Sequence, residues 1–356
     1  MIQLIDKVKT SMNLLGKNLQ ELLEITSELG EEPFRGKQLY HLLYKRKEFN
    51  VPQMSELPLT LRKTLSQNFQ VQLPELENFS ESLDGTVKLL FRLYDGQFVE
   101  TVVIPEKERT TLCISSQVGC NVGCTFCLTA QMGFSRNLKP SEILGQVLIA
   151  IKSGYVASKG FNIVFMGMGE PLYNYKHVMK SFRIMVDAQG MGLSRRRITI
   201  STSGVIPILE KMYFEPILPN LAISLNATTD TIRDQIMPLN KKWPLQKLLD
   251  CCRLFPLESR RRITFEYVLI KDLTDSKEDA RRLSHLVKGI RCKINLIPYN
   301  SNPGMSYTAS SQKTVEQFKK ILVQNHISVF IRKTRGEDIS GACGQLAYLE
   351  NTSQKN

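Results

Sequence analysis

From Thr110 to Lys333 the chain alternates between short β-rich runs and amphipathic helical patterns, and this alternation limits its possible folds more than any other feature. The strand-like runs are TTLCISSQ, NIVFMGMG, RRITISTS, LAISLNA, RITFEYVLI, KINLIPYN and ISVFIRK. Between most of them lie SEILGQVLIAIKSG, YKHVMKSFRIMVDAQG, IPILEKMYF, PLQKLLDCCRLF, SKEDARRLSHLVKGI and QKTVEQFKKILVQN, each with helical spacing. Strands that alternate with helices pair in parallel, because each helix is the crossover that returns the chain to the same edge. The expected core is therefore α/β: an incomplete (β/α)6 TIM-like barrel closed off by a last strand. In such a barrel the site is built at the C-terminal ends of the strands. Four of those ends are polar or glycine-rich: MGMGEPLYN at Met166–Asn174, STSG at Ser201–Gly204, SLNA at Ser224–Ala227 and IPYN at Ile297–Asn300.

The flanks read differently. NLQELLEITSELG carries Leu19, Leu22, Leu23 and Ile25 as one apolar stripe that Gly30 can stop, and PFRGKQLYHLLYKR starts behind a proline with basic residues around Leu39, Leu42 and Leu43. VKLLFRLYDGQFVETVVIP is two β-rich runs joined by Asp95-Gly96, a hairpin signal. The expected division is a small helical domain over 1–80 whose basic face suits RNA, a β-hairpin lead-in over 81–108, the core over 109–346 and a flexible tail over 347–356. No apolar run approaches the ~18 residues of a membrane span, and the lysine-dotted N-terminus lacks the apolar centre of a secretory signal. Eight cysteines in such a chain point to reduced thiols in a cytoplasm, some of them metal ligands or reactive, and not to a disulfide framework. The net charge of +13 favours a polyanionic partner.

Three of the eight cysteines crowd into CNVGCTFC, at Cys120, Cys124 and Cys127, on the loop after the first core strand. Zinc takes four ligands, and Cys113 is available as the fourth. An iron–sulfur cluster takes thiolates at similar spacings, and with three protein ligands one iron stays open. The placement beside glycine-rich strand ends favours the cluster. Cys113 and Cys343 are isolated, and an isolated cysteine usually serves as a small buried hydrophobe. Glu100 shares a strand face with Phe98, Val102 and Ile104, so it is either a hairpin-edge residue in water or a site carboxylate with a raised pKa. Cys251, Cys252 and Cys292, and the histidines His41, His177, His285 and His326, show no pattern that assigns them a role.

C-x3-C-x2-C with Phe126 before the last cysteine resembles the mark of radical S-adenosylmethionine (SAM) enzymes, and GMGEPLYN resembles the stretch that holds the amino end of SAM in them. The wider set is similar to the RlmN/Cfr family of RNA adenine methyltransferases from about Glu32 to Leu346: LCISSQVGCNVGCTFCLTAQMGFSRNL, FMGMGEPLYNY, RRITISTSGVIP, LAISLNATTDTIRDQIMP, INLIPYN and RGEDISGACGQL. RGEDISGACGQL and PFRGKQLY are closer to the RlmN branch than to Cfr.

The resemblance implies a radical SAM barrel in which Cys120, Cys124 and Cys127 hold a [4Fe–4S] cluster and SAM binds the open iron. It implies SAM contacts from Gly169, Glu170, Ser201, Ser224, Leu225, Asn226 and Asn300. Cys343 becomes the thiolate that accepts a methyl group from one SAM, while a second SAM, cleaved reductively, yields the radical that takes a hydrogen from the S-methyl group. The carbon radical adds to adenine C2, Cys113 releases the adduct by forming a disulfide with Cys343, and Glu100 takes the ring proton. The implied substrates are adenosine 2503 of 23S rRNA and adenosine 37 of tRNA, both single-stranded adenines. An external one-electron reductant such as flavodoxin or ferredoxin is implied, with a monomeric enzyme. Three other readings stay open: C8 methylation by the Cfr route, a zinc-bound RNA-binding protein without catalysis, and a radical enzyme that activates another protein.

Overall fold

The structure, a computed structural model, describes residues 12–157, 160–302 and 304–347. The first eleven residues and the residues from 348 on, including the polar C-terminal tail expected to be disordered, lie outside the described residues.

Ten strands form one sheet in which each strand pairs with the next in the chain. β1 (Glu75–Glu81), β2 (Val87–Arg92) and β3 (Phe98–Glu106) run antiparallel and join β4 (Arg109–Cys113). From β4 the sheet continues in parallel through β5 (Asn162–Phe165), β6 (Ile198–Thr202), β7 (Asn220–Ser224), β8 (Ile263–Leu269), β9 (Cys292–Pro298) and β10 (Val329–Ile331). Among the described residues β10 pairs only with β9, so the barrel is left open. All seven expected core strands are present. The central ones are buried on both faces, as parallel strands covered by helices must be: every residue of β8, Ile263 to Leu269, is buried.

The hairpin between β2 and β3 turns where expected. Leu93 N–H donates to Gln97 O, Gly96 N–H donates to Leu93 O, and Gly96 has φ +80°. β1 is an addition that the sequence pattern did not show. Its residues, ELENFSE, alternate poorly because the strand is an exposed edge with a register shift between Leu76 and Asn78.

The N-terminal helices Leu19–Glu28 and Pro33–His41 pack on the core helices Pro140–Lys152 and Tyr175–Val186. Asn18 and Glu21 form a capping box at the start of the first helix, and Glu21 also takes Lys180 at 2.6 Å. Tyr40 Oη donates to Asp187 at 2.9 Å, and a side chain at Gly145 would strike Pro74 Cδ at 2.2 Å. The two polar residues buried on Pro140–Lys152 are held by the core: Gln146 bonds Thr101 and Ser115, and Glu142 accepts from Arg136.

Candidate active site

The strand ends of the core meet at one rim, and the loop after β4 lies across it. Gly119 has φ +71°, and a Cβ there would sit 1.8 Å from Gly133 O, so the backbone enters the cysteine loop through a position only glycine fills. The loop is then pinned from three sides: Cys120 N–H donates to Gly133 O, Thr125 N–H to Ile236 O and Leu128 N–H to Gly344 O. Cys120, Cys124 and Cys127 line one cavity together with Gly169, Glu170, Ser201, Ser224, Asn226, Asn300 and Cys343.

The donor chemistry of this cavity fits a cationic cluster. Burial pushes the Cys120 thiol up to about 12, with Glu170 and Cys127 adding repulsion, and pushes Cys124 well above the usual thiol range, with Cys127 and Cys120 adding to it. Three thiolates can coexist there only with positive charge among them. Among the described residues no three His, Cys, Asp or Glu side chains converge to hold a single metal ion. The three cysteines line one cavity whose other walls carry Gly169, Glu170 and Asn226, and three thiolates are the donor set of a cluster with one open iron.

Around the same cavity Gly169 has φ +98°, and a Cβ would lie 2.5 Å from Gln117 Cβ. Glu170 accepts from Leu172 N–H at 3.0 Å, Ser203 N–H at 2.8 Å and Ser203 Oγ at 2.7 Å, which uses three of about four acceptor sites on its carboxylate. The Ser201 and Ser224 hydroxyls have no hydrogen-bond partner among the described residues. Asn226 sits in the left-handed region at φ +58°, held by Val268 N–H to its Oδ1 at 3.1 Å. Leu225 behaves differently: its side chain is fully buried, and its N–H donates to Glu266 O.

Cys343 lines this cavity and also a second one, of about 690 Å³, that carries Cys113 on its wall. The dense surround raises the pKa of Cys343, while the Arg332 guanidinium opposes the rise by charge and hydrogen bonding. Cys113 is buried, and burial pushes its thiol up to about 12, with the nearby Cys343 adding to it. Asn300 steadies the loop by donating from Nδ2 to Cys343 O at 3.2 Å and accepting from Thr334 Oγ1 at 2.9 Å.

Glu100 is buried, and it stands two residues along β3 from Val102, the cross-strand partner of Cys113, so the two side chains share a sheet face. Burial raises its pKa, and Lys88, 2.9 Å from Oε1, pulls it back.

Comparison with known proteins bears on this site. The radical SAM superfamily profile matches residues 114–283, and that of the ribosomal RNA large subunit methyltransferase N-terminal domain matches residues 12–71. A radical SAM methyltransferase from Sphaerobacter thermophilus superposes with a TM-score of 0.89 at 40% identity, covering 94% of this chain and 99% of that one. The dual-specificity RNA methyltransferase RlmN of Anaeromyxobacter dehalogenans is 45% identical over 334 residues, 92% of this chain and 90% of its own. That of Geobacter sulfurreducens is 45% identical over 337 residues, 95% and 92% of the two chains. The chain belongs to the RlmN family. It is a radical SAM RNA methyltransferase, and superfamily membership implies a [4Fe–4S] cluster and SAM.

Three polar residues of this RlmN-family site gave little sign in the sequence. Arg233 is fully buried and binds the rim from beneath: Nε donates to Leu225 O at 2.9 Å, Nη2 to Ser203 O at 2.7 Å and Ser224 O at 3.1 Å, and Nη1 to Asn240 Oδ1 at 2.8 Å. Glu266 lines both cavities. Its Oε1 accepts from Asn295 at 2.8 Å, its Oε2 has no partner, and burial raises its pKa against the pull of Arg332. A charged residue in the middle of the all-buried run ITFEYVL was the one available signal for Glu266. Arg332, in ISVFIRK, looked like an ordinary strand-end cation.

Proposed function

We propose that this enzyme methylates C2 of adenine, in 23S rRNA at adenosine 2503 and in tRNA at adenosine 37, through an S-methylated Cys343. The observation that carries the reading is the position of Cys343: one thiol faces both the cysteine-lined cavity and the cavity that holds Cys113. A residue that accepts a methyl group and then hands carbon to RNA must reach both spaces.

Cys120, Cys124 and Cys127 would hold the cluster. Gly169, Glu170, Ser201, Ser224, Asn226 and Asn300 would hold SAM, with Leu225 contributing at most through its backbone. The cluster with SAM supplies a methyl group to a thiolate and, after one-electron reduction, a radical that abstracts hydrogen, and we assign two SAM molecules to each turnover. Arg332 stabilises the Cys343 thiolate before methylation. Glu100 would take the C2 proton as the radical adduct gives up one electron, for which the oxidised cluster would be the acceptor, leaving adenine C2 joined through a methylene to Cys343 Sγ. The Cys113 thiolate would then attack Cys343 Sγ, forming the disulfide as the methylene carbon–sulfur bond breaks, and the released carbon takes a proton to become the methyl group of the freed RNA. External dithiol or another reductant must return both thiols. An adenine must leave its stack to reach this interior, which suits loops over duplex. We assign the enzyme to the cytoplasm, as a monomer served by a flavodoxin or ferredoxin. Among the described residues no helix is long and apolar enough to cross a membrane.

The test is an anaerobic reaction of reconstituted protein with SAM, reductant and unmodified 23S rRNA fragment or tRNA, followed by nucleoside mass spectrometry. 2-Methyladenosine is the expected product, and 8-methyladenosine would replace this assignment with the Cfr route.

A further inference from the structure

The hexapeptide Ser-Arg-Arg-Arg-Ile-Thr occurs twice, at 194–199 and 259–264. Each copy leads into a core strand, β6 or β8, with β7 between them, so both arginine triplets stand at the N-terminal end of the sheet. That end is opposite the rim: the seven residues of β8 span about 20 Å at roughly 3.3 Å per residue.

Around the second triplet a depression of about 800 Å³ is lined by Arg260, Arg261, Arg262, Lys288 and Arg291, with His285 and His326, and no Asp or Glu is among its lining residues. Arg260, Arg262, Lys288 and Arg291 are exposed. Glu258 is the one carboxylate paired here, shared between Arg195 and Arg261. Arg196, Arg260 and Lys288 have no side-chain partner among the described residues, and Arg261 Nη2 is buried without a hydrogen bond. Arg261 loses proton affinity through burial, Glu258 restores some of it, and Arg195 and Arg196 take more away, which shows how closely the two triplets approach. Such a concentration of exposed like charge attracts anions.

On this surface Arg197, Arg262 and Arg291 bond only neutral oxygens, Gly160 O, Ser328 Oγ and Leu257 O, whereas several cations of the N-terminal helical domain are paired with carboxylates or neighbouring carbonyls. Lys17 pairs with Glu21, Arg35 with Glu31, Arg46 with Glu56, and Lys45 donates to Ala188 O.

We propose that the N-terminal end of the barrel is a second RNA-docking surface, on which the two arginine triplets, Lys288 and Arg291 bind the phosphate backbone of a substrate arm about 20 Å from the target adenine. Phosphate contacts position a nucleic acid without reading its sequence, which is what an enzyme acting on more than one RNA requires of a distal contact. RNA fits better than an acidic electron carrier, because a carrier has to approach the cysteine-lined rim at the other end. This inference rests on RNA as the substrate class and is independent of which adenine carbon is methylated.

The test compares wild type with R196Q/R260Q/K288Q on two RNAs, a short stem-loop presenting the unpaired adenosine and full-length tRNA containing it. Binding is read by fluorescence anisotropy over a salt series. None of the three side chains has a partner, so the melting temperature should not move. The expected result on tRNA is a loss of roughly tenfold in affinity and a slope in log K against log salt reduced by about 2–3, from ~0.9 per phosphate contact. Stem-loop affinity should stay unchanged, and R196K/R260K should restore tRNA binding. Unchanged tRNA affinity and slope would overturn the proposal. Equal loss on both RNAs would also overturn it by placing these cations in the catalytic footprint. So would intact RNA binding accompanied by slower reduction by an acidic one-electron protein.

Discussion

Lys88 Nζ lies 2.9 Å from Glu100 Oε1 across neighbouring strands, and the two side chains are 16% and 5% exposed. The pair sits on the sheet face that also carries Cys113, where burial and Lys88 act on Glu100 in opposite senses. Its consequence is a pH dependence. A base works when ionised, so the rate of adduct resolution should rise with pH through the raised pKa of Glu100. Lys88→Met removes the charge that favours the carboxylate and should move this rise to higher pH, with a loss of roughly tenfold at neutral pH for each pKa unit. Lys88→Arg should keep most activity. Single-turnover product formation across pH checks this, and an unshifted profile in Lys88→Met would remove Glu100 as the base.

Cys343→Ala should abolish RNA methylation while leaving the cluster's visible absorbance and iron content intact. Cys113→Ala should instead accumulate protein cross-linked to RNA, seen as a shifted band on a denaturing gel. Free methylated RNA from Cys113→Ala at the wild-type rate would take Cys113 out of the scheme.

Arg233→Met should unfold the rim. The substitution leaves the carbonyls of Ser203, Ser224 and Leu225 without their buried donor, at about 1–3 kcal/mol for each unsatisfied group. A much lower melting temperature and poor cluster retention are expected, and wild-type stability would show that water replaces the guanidinium.

Glu266→Gln tests a buried carboxylate through stability. The folded-state pKa of Glu266 is raised, so the folded state holds the proton more tightly than the unfolded chain, and wild-type stability falls as pH rises from the ordinary carboxylate range through that raised pKa. The variant has no such slope. Its melting temperature should exceed that of wild type by more at pH 8 than at pH 5, by roughly a few degrees. An equal difference at both pH values would mean that Arg332 fully compensates the charge.

Gly169→Ala should cost about 3 kcal/mol, because φ +98° strains any side chain and Gln117 stands 2.5 Å from the new Cβ. Urea unfolding measures the cost, and SAM affinity should fall with it.

The parallel core was legible because short β-rich runs such as NIVF and ITFEYVL are bounded by helical patterns, and burial on both faces favours near-continuous apolar runs. The hairpin was legible from Asp95-Gly96 alone. β1 was not, since an edge strand in water needs no apolar face. The cysteine loop announced itself by spacing, whereas Arg233, 106 positions after Cys127, joins the rim only through tertiary contact. Its sequence context, TIRDQI, is that of any polar helix. Glu100 was visible as an ambiguity on an apolar face, and packing with Lys88 settled its environment. Leu225 was grouped with the cavity residues by motif, yet strand alternation turns its side chain into the core.

The continuity of the sheet from β1 to β4 reaches outside the segment shared with the radical SAM superfamily. The segment matching the radical SAM superfamily, residues 114–283, contains the three loop cysteines, Gly169 and Glu170. Cys113 lies one residue before it, Glu100 further upstream on the antiparallel extension, and Asn300 and Cys343 beyond its end. The shared segment alone would be an apparatus for making radicals with nothing to receive them. On the proposed assignments, the residues that receive the radical and resolve the adduct come from the two margins: Glu100 and Cys113 from the strands on one side, and Cys343 from the returning loop on the other. On the proposed roles, trimming the N-terminal margin would remove Glu100 and Cys113, and trimming the C-terminal one would remove Cys343 together with Asn300 of the SAM site and the last two strands of the barrel.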